Sequence, residues 1–509
     1  MSGFIKRFQA FRSDEAGTIL VFWALCLTVV FGLVALSFDL GRYAITRTEY
    51  QSFADHVALA AAGELDGNAG AISRATAAAA LISDRQHFGV ADGVLTGGED
   101  YTLTFYTTLP DSDLTAMTAV TTADSEAAYV RVDVTPTSVL GTFANILQPG
   151  ASGSVTASAT AGFDTWACDV TPLMFCMPET PLVVGNQILL RSGGQGSAWG
   201  PGDFGFLDPS DMKIDENGPC AEYVKDWEAD KVNGGGKLYA CILGAVGGHN
   251  ACFKKRGVDT QPGQRVGLGN AAFNVRFDMY DSVLNNANDD PAYAPAPNVI
   301  KGLVGNGNAA CIQGKEQPAG VDNQGVVNPT KQSIALPRDS CFNTAGSTCR
   351  FGSGDWNRTL YNDTNYGTGP GTAKIGHLTG IAAGTTTSGS TRYEYYLAEI
   401  AHWAAANSIL PSTKEENGRP TCSKAPPAGP ERRLIIAAGV DCKTNPVSGK
   451  TSNVPVEKFV KIFITEPVGS DGSSPPSFDI FGEIVDFADG SGDQSGKGGL
   501  IRNMVQLYR

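Results

Sequence analysis

The sequence predicts an α+β protein: an N-terminal transmembrane helix continues into a helix packed on a small antiparallel sheet, and a large loop-rich mixed α/β body with disulfides follows. Three observations predict this. The chain has one long uncharged apolar run, then a region of strand-like alternation, then a Gly- and Pro-rich remainder that holds ten of the eleven cysteines. The predicted segments are a cytoplasmic tail (1–15), a transmembrane helix (16–38), a helix-plus-sheet domain (39–163) and the body (164–509).

The apolar run extends from Ala16 to Phe38 without a charged residue. At about 1.5 Å per residue it makes a helix of roughly 34 Å, enough to cross a hydrocarbon core of about 30 Å. Lys6, Arg7 and Arg12 precede it and favour a cytoplasmic N-terminus. The alternative is a cleaved secretory signal, but the run exceeds the usual apolar region of about 7–15 residues. Both interpretations place the bulk of the chain outside the cytoplasm.

The helix is predicted to continue past the apolar run. Residues 39–65 lack proline, and Tyr50, Phe53, Val57 and Ala61 recur at intervals of three and four. That spacing predicts one apolar stripe, which we expect to pack on the protein's own first domain rather than on another subunit. A second, Ala-rich helix is predicted from about Ala71 to Arg85.

The region 100–163 changes to a period of two. Segments 102–108, 128–136 and 154–163 alternate in side-chain character and are rich in Thr, Val and Tyr. This predicts strands of one antiparallel sheet. Segment 138–147 has apolar residues at helical spacing and predicts a short helix between the second and third strands.

The body has regular patterns mainly near its end. Residues 393–410 have helical periodicity, and 432–442, 458–467 and 478–487 read as buried strands. Residues 185–390 contain many turn-forming residues and predict long loops.

The even number of cysteines outside the apolar run predicts disulfides formed in an oxidising compartment. Two close pairs suit short local loops: Cys168 with Cys176, and Cys341 with Cys349. The remaining connectivity stays open. The alternative is a zinc site at Cys241, His249 and Cys252, which lacks a CxxC spacing and an evident fourth ligand.

The chemistry-bearing motifs favour a protein that is not an enzyme and has no cofactor. A net charge of −14 argues against nucleic acid as a partner. Residues 444–451 end in Gly-Lys-Thr after an apolar strand, but Thr444 stands where a phosphate-binding loop needs its first glycine, and Pro446 and Pro455 oppose the following helix. No G-x-S-x-G elbow occurs.

Three polar residues near the apolar run are predicted to position the helix. Asp39 and Arg42 lie three residues apart, so the two can meet on one face near the headgroups and set the depth of the anchor. Asp55 lies in an Ala-rich stretch that permits close packing. Its carboxylate needs a donor there, supplied by the first domain or by a partner helix.

The N-terminal residues resemble TadG-like proteins of the tight-adherence (Tad/Flp) pilus assembly system. The matching pieces are Glu15 and Gly17, the motif FDLGRY (38–43), and the stretch from Gln51 through Asp55 to the block Ala58-Leu59-Ala60-Ala61. Segments 274–280, 432–442 and 461–467 and the closing NMVQLYR also resemble members of this family. His56 and Val57 depart from it, since two small residues are more usual there.

The resemblance implies a single-pass inner-membrane protein with a periplasmic body, no catalytic activity, and partners among pilin or other pilus-assembly proteins. Longer members often carry a von Willebrand A-like domain with a cation-binding D-x-S-x-S motif. The nearest match is Asp489-Gly-Ser491-Gly-Asp493, which ends in Asp and also suits an ordinary turn. The body is therefore a candidate for a degenerate domain of that type. The alternative function is a membrane-tethered periplasmic binding or adhesion module, with divalent-cation dependence as one form of it.

Overall fold

A computed structural model describes most of the chain. The described ranges, apart from a few shorter gaps inside them, are 16–83, 95–208, 220–229, 235–246, 252–261, 272–297, 334–366, 390–406, 422–470, 478–488 and 501–508. The chain divides into two compact units. Unit 1 contains Met1–Asp164 together with Asn503–Arg509, and unit 2 contains Thr165–Arg502. Asn503–Arg509, which were predicted in the body, group with unit 1.

Unit 1 begins with helix α1 (Ala16–Ala62), which runs through 47 residues without interruption. Its N-terminal part is apolar and exposed, with a mean hydropathy of 2.5 over the most apolar window. By length and composition α1 can cross a membrane. Its C-terminal part is buried along one side, because the predicted stripe of Tyr50, Phe53, Val57 and Ala61 enters the core of unit 1. Helix α2 (Ala71–Ala80) follows and is shorter than predicted.

The main sheet of unit 1 is antiparallel where its register is described. Strand β1 (Tyr101–Tyr106) pairs with β2 (Tyr129–Val134), and β2 pairs with Ser158–Cys168. The strand nearest the C-terminus, Ile501–Leu507, occupies the position after Ser158–Cys168 in the sheet. This pairing draws the last residues of the chain into unit 1, because the edge of Ser158–Cys168 needs hydrogen-bonding partners. Valines on β2, together with the α1 stripe, form one buried cluster.

The segment predicted as a helix over 138–147 is mostly a strand and a turn. Strand β3 (Thr137–Leu140) pairs with β4 (Ser152–Val155), and only the four residues of α3 (Ala144–Leu147) are helical. The prediction was wrong over 138–143 because antiparallel pairing overrides the helical spacing of the apolar residues. We refer to β3, α3 and β4 as the hairpin (137–155). Ser158–Cys168 is β5.

Within the residues that the structure describes, unit 2 is built on a mixed sheet of eight strands. Its strands are β6 (Leu173–Cys176), β7 (Gln187–Ser192), β8 (Asp203–Leu207), β10 (Thr260–Gln261), β11 (Leu434–Val440), β12 (Lys458–Ile464), β13 (Gly469–Ser470) and β14 (Phe478–Ala488). Two further strands are not part of this sheet: β9 (Cys252–Lys254), which pairs with β5, and β15 (Ile501–Leu507). Most pairs are antiparallel, but β6 lies parallel to β11 and β7 parallel to β8. The three strands predicted near the end of the body are therefore central in this sheet.

Four α-helices are described in unit 2: α4 (Ala221–Ala229), α5 (Gly235–Gly244), α6 (Arg358–Tyr366) and α7 (Arg392–Ala406). Apolar residues of α5 join the clusters on the sheet, and Tyr395 and Tyr396 of α7 pack with Trp356 and Phe463. The predicted helix over 393–410 corresponds to α7. The predicted turn or cation loop at 489–493 lies outside the described residues.

A fully buried ion cluster fixes α7 to the sheet. The guanidinium of Arg392 pairs with the carboxylates of Asp339 and Glu483, the latter at 3.1 Å, and all three side chains are inaccessible. The Arg392 side chain also donates to the Pro337 carbonyl. Buried charges persist only when they are paired and hydrogen-bonded, so this cluster makes the position of α7 strongly dependent on a single side chain.

Disulfides in unit 2 close both long and short separations in sequence. Cys176 bonds with Cys442, Cys220 with Cys241, and Cys341 with Cys349. The suggested pairing of Cys168 with Cys176 is wrong, because the parallel register of β6 and β11 places Cys176 directly opposite Val440 and so near Cys442. Cys168 instead stands opposite Cys252 in the β5–β9 register. The alternative zinc site loses Cys241, whose sulfur is bonded to Cys220.

Candidate functional site at the end of the apolar helix

The most specific structure near the family-like residues lies where the apolar part of α1 ends. There the carboxylate of Asp39 reaches across to the hairpin. Asp39 Oδ1 accepts from the amide of Thr142 at 2.8 Å, and Oδ2 accepts from the amides of Phe143 at 3.1 Å and Ala144 at 2.7 Å. These amides open α3 and lack partners within that helix. Asp39 thus supplies from another helix the acceptor that an N-cap residue usually supplies locally.

The surroundings of Asp39 favour its ionised form. Burial opposes ionisation most strongly as a single effect, but the hydrogen bonds from Ala144, Thr142 and Phe143 and the nearby charge of Arg42 together outweigh it, so the pKa of the Asp39 carboxyl is lowered. The residue is almost inaccessible, with 4% of its surface exposed. A charge held this way fixes the hairpin to the helix at a defined height.

Arg42 and Tyr43 extend the same contact along the next turn. The Arg42 guanidinium donates to Thr142 Oγ1 and to the Leu140 carbonyl at 3.4 Å. The Tyr43 hydroxyl donates to the Val139 carbonyl at 3.0 Å. Asp39 and Arg42, predicted to act together near the headgroups, therefore act together by holding one hairpin. The sequence did not indicate the hairpin as their partner.

Two glycines of the hairpin permit this close approach. A Cβ at Gly141 would stand 3.2 Å from Asp39 Oδ2, and a Cβ at Gly153 would stand 2.8 Å from Tyr43 Cε1. A side chain at Gly153 would push the hairpin away from α1, and one at Gly141 would crowd Ala144 of the hairpin as well as Asp39. The FDLGRY motif and these glycines thus form one unit, which we call the clamp (Asp39, Arg42, Tyr43, Gly141, Gly153).

Asp55 obtains its donor from its own helix. Gln51 Nε2 donates to Asp55 Oδ1 at 2.8 Å, and the same nitrogen donates to the Ser158 carbonyl of β5 at 3.0 Å. Asp55 therefore holds Gln51 in position to bridge α1 and the sheet. The donor to Asp55 is thus a residue of α1 itself, and contact of Asp55 with a partner helix stays a prediction.

Three of the later segments that resemble the family, 274–280, 432–442 and 461–467, lie in unit 2, whereas the closing NMVQLYR belongs to unit 1. Asn274 exchanges two hydrogen bonds with the backbone of Val468, at 2.9 and 2.7 Å. Arg433 donates to the carbonyls of Ile464 and Thr465, and its guanidinium lies 4.5 Å from the ring centroid of Phe463. Segments far apart in sequence are thereby joined in one buried cluster.

Arg432 and Arg433 contact backbone carbonyls and aromatic rings in that cluster. Arg432 donates to the carbonyls of Ala294 and Ala245. Burial lowers the pKa of each arginine to about 10, which leaves both protonated at neutral pH. Their role in the described structure is to hold loop backbones together.

The segment resembling a phosphate-binding loop has a different structure. The Asp441 carboxylate accepts from the amides of Lys443 and Thr444 and from the Thr444 hydroxyl, which makes a turn directly after β11. Residues 444–451 form irregular backbone with bends, and no helix begins among them. No group of three or more potential metal ligands occurs among the described residues.

Comparison with known proteins gives one match. Residues 17–64 match the model of the family described as putative Flp pilus-assembly TadE/G-like. The chain therefore carries a segment similar to this family, and the resemblance seen in the sequence is confirmed over these residues. No curated protein and no solved structure matches the chain. The matched segment contains most of α1 and, within it, Asp39, Arg42 and Asp55.

Proposed function

We propose that this protein is a structural component of a tight-adherence (Tad/Flp) pilus assembly and secretion apparatus, anchored in the inner membrane by residues 16–38, with its body in the periplasm. The observation that carries the proposal is the family match, which covers the exposed apolar part of α1 and the clamp residues that follow it on the same helix. Family similarity and membrane-compatible structure thus coincide in one segment.

The disulfides support the periplasmic location of the body. Cys176–Cys442 joins residues 266 positions apart in sequence, and Cys220–Cys241 is buried. Such bonds persist in oxidising compartments and are rare in the cytosol. With the body outside, α1 must enter the membrane with its N-terminus on the cytoplasmic side, as the basic residues before it also favour.

The proposed role is structural and involves no catalysis. Charged side chains that the fold buries, such as Arg392, Asp339 and Arg433, are held in ion pairs or on backbone carbonyls. The clamp residues of α1, namely Asp39, Arg42 and Tyr43, likewise contact the hairpin. These arrangements support a protein that is tethered to the membrane and whose task is to contact pilin or other assembly proteins.

The test is deletion of the gene in a strain that makes surface fibres, followed by complementation. We expect fibres to be lost or strongly reduced, and restored by the full chain. A matched variant has residues 1–38 replaced with a cleavable secretory signal, so the body is exported without its tether. It should reach the periplasm at a normal level but fail to restore fibres.

Two outcomes would contradict the proposal. Normal fibres in the deletion strain would remove the assembly role, and impaired surface attachment by that strain would then favour an adhesion module. Full restoration by the untethered body would show that the anchor is dispensable. Electron microscopy of fibres and immunoblotting of the periplasmic and membrane fractions distinguish these cases.

A further inference from the structure

The tip of the hairpin carries apolar side chains that the protein itself leaves uncovered. Leu140 is 55% exposed, Phe143 37% and Ile146 74%. They belong to one turn of the hairpin, around α3. Three large apolar groups on one exposed turn are unusual for a surface in contact with water alone.

The position of this tip relates it to the apolar part of α1. The ring of Phe143 packs edge-on against Phe38, with the centroids 5.6 Å apart. Phe38 is the last residue of the uncharged run, and it is itself half exposed. The apolar surface of the tip therefore continues directly from the apolar surface of the helix.

The hairpin also lacks the charges that would oppose contact with lipid. No Asp, Glu, Lys or Arg occurs between Asp133 and Asp164, in a chain where charged residues make up 18%. Moving a charged side chain toward hydrocarbon is costly, and acidic groups are further repelled by anionic headgroups. This interval is free of both obstacles.

Most backbone amides at the tip already have acceptors, which lowers the cost of placing the tip in an apolar environment. Asp39 accepts from three amides, and Asn145 Oδ1 accepts from the amide of Gly150 at 2.7 Å. Further amides donate to carbonyls within the hairpin: those of Gly141, Asn145, Ile146, Gln148 and Ala151. By accepting from three of these amides, Asp39 of the clamp removes the free-energy cost of moving them out of water without an acceptor.

From these observations we infer that the hairpin tip inserts its apolar side chains into the interface of the bilayer that α1 crosses. The occupant of this surface is lipid: acyl chains and the lower part of the headgroups on the body side of the membrane. The tip gives the protein a second membrane contact beside the helix, at the height fixed by Asp39. This inference rests on the membrane anchoring proposed above.

The test uses photo-crosslinking of the full chain reconstituted in phosphatidylcholine nanodiscs. A diazirine amino acid replaces Ile146, Val120 or Leu33 in three separate preparations. Val120 is 59% exposed and bridges to Tyr106, at the end of the sheet remote from the hairpin. Leu33 is 60% exposed within the apolar run. All three sites are surface positions, so the probes disturb no core.

The inference predicts lipid adducts, measured by mass spectrometry, at positions 146 and 33 in similar yield, and about tenfold less at 120, because an interfacial side chain lies within the headgroup and acyl boundary. Adducts at 33 but only the level of position 120 at 146 would overturn the inference and leave the anchor intact. Absence of adducts at 33 as well would overturn both the inference and the membrane anchoring.

Discussion

The carboxylate of Asp39 accepts a hydrogen bond from the backbone amide of Ala144 at 2.7 Å, although the two residues are 105 positions apart in the chain. With the amides of Thr142 and Phe143, it fixes the hairpin against the end of the apolar run. The clamp therefore connects a residue of the family motif to a segment beyond the family match.

Replacing Asp39 with Asn should lower the melting temperature of the full chain in detergent micelles at pH 7. The pKa of Asp39 in the folded protein is below its ordinary value of 3.8, so the unfolded chain binds the proton more readily. The stabilisation is therefore present at neutral pH and lost as the pH falls through the folded-state value. We expect a difference of a few degrees at pH 7 that shrinks steadily below about pH 4.

The matched control is Asp133→Asn, which removes a carboxylate from an exposed pair with Arg131 on the same unit. It should change the melting temperature little. An equal, pH-independent loss in both variants would show that the bonds of Asp39 to the hairpin are not the cause.

Gly153→Ala should destabilise unit 1 by about 1–3 kcal/mol, because the added methyl group overlaps the Tyr43 ring. In a Tyr43→Ala background the same change should cost much less, since the obstructing ring is absent. Urea unfolding of the two single variants and the double variant measures this coupling.

Gly41→Ala is the control for that cycle. Nothing lies within 4 Å of a Cβ at Gly41, so the change should be neutral or should stabilise the helix by about 0.5–1 kcal/mol. Additive effects of Gly153→Ala and Tyr43→Ala would contradict the close packing of the hairpin on α1.

Arg392→Met should destabilise unit 2 by about 3–5 kcal/mol, because it leaves the buried carboxylates of Asp339 and Glu483 without their counter-charge. Arg74→Met, which breaks exposed pairs with Glu64 and Asp66, should cost about 0–1 kcal/mol. Urea unfolding followed by hydrogen exchange of α7 would locate the effect. Similar small losses of unfolding free energy in both variants would mean that the buried Arg392 cluster stabilises the protein no more than an exposed ion pair does.

The double variant Cys176→Ser/Cys442→Ser should lose more stability than Cys341→Ser/Cys349→Ser. The first bond closes a separation of 266 residues and the second a separation of 8, which in the chain-entropy model makes the first larger by about 3 kcal/mol. Peptide mapping of the unreduced protein checks the pairing itself. Recovery of a peptide linking Cys168 to Cys176 would refute it.

Periodicity predicted the parts of the fold that depend on local sequence. The stripe from Tyr50 to Ala61 is visible because it buries one side of α1, and β11 and β12 are visible because most residues along them are apolar and buried. The pairing of Cys176 with Cys442 was not predictable, since it depends on the order of strands in a sheet. The hairpin was predicted wrongly because the apolar residues in 138–147 fit a helix as well as they fit a strand and turn.

Local pattern was also insufficient to predict the clamp. Asp39 and Arg42 were identifiable as a pair at the edge of the apolar run, but the partners of Asp39 are backbone amides, which have no signature in a sequence. Gly141 lay inside the segment predicted as a short helix, and Gly153 had no interpretation from the sequence. Their importance comes from the distance to Asp39 and Tyr43, which exists only once the hairpin has folded.

The return of the chain to unit 1 delays the completion of that unit during biosynthesis. The Tyr508 amide donates to the Thr160 carbonyl, and its hydroxyl donates to Asp164. At about 5–20 residues per second, a ribosome needs roughly half a minute to make residues 165–502 after it has finished residue 164. Throughout that interval the edge of β5 lacks its neighbour, so the first part of the protein to leave the ribosome is among the last to be completed. A chaperone that shields this strand before β15 is made would act in that window.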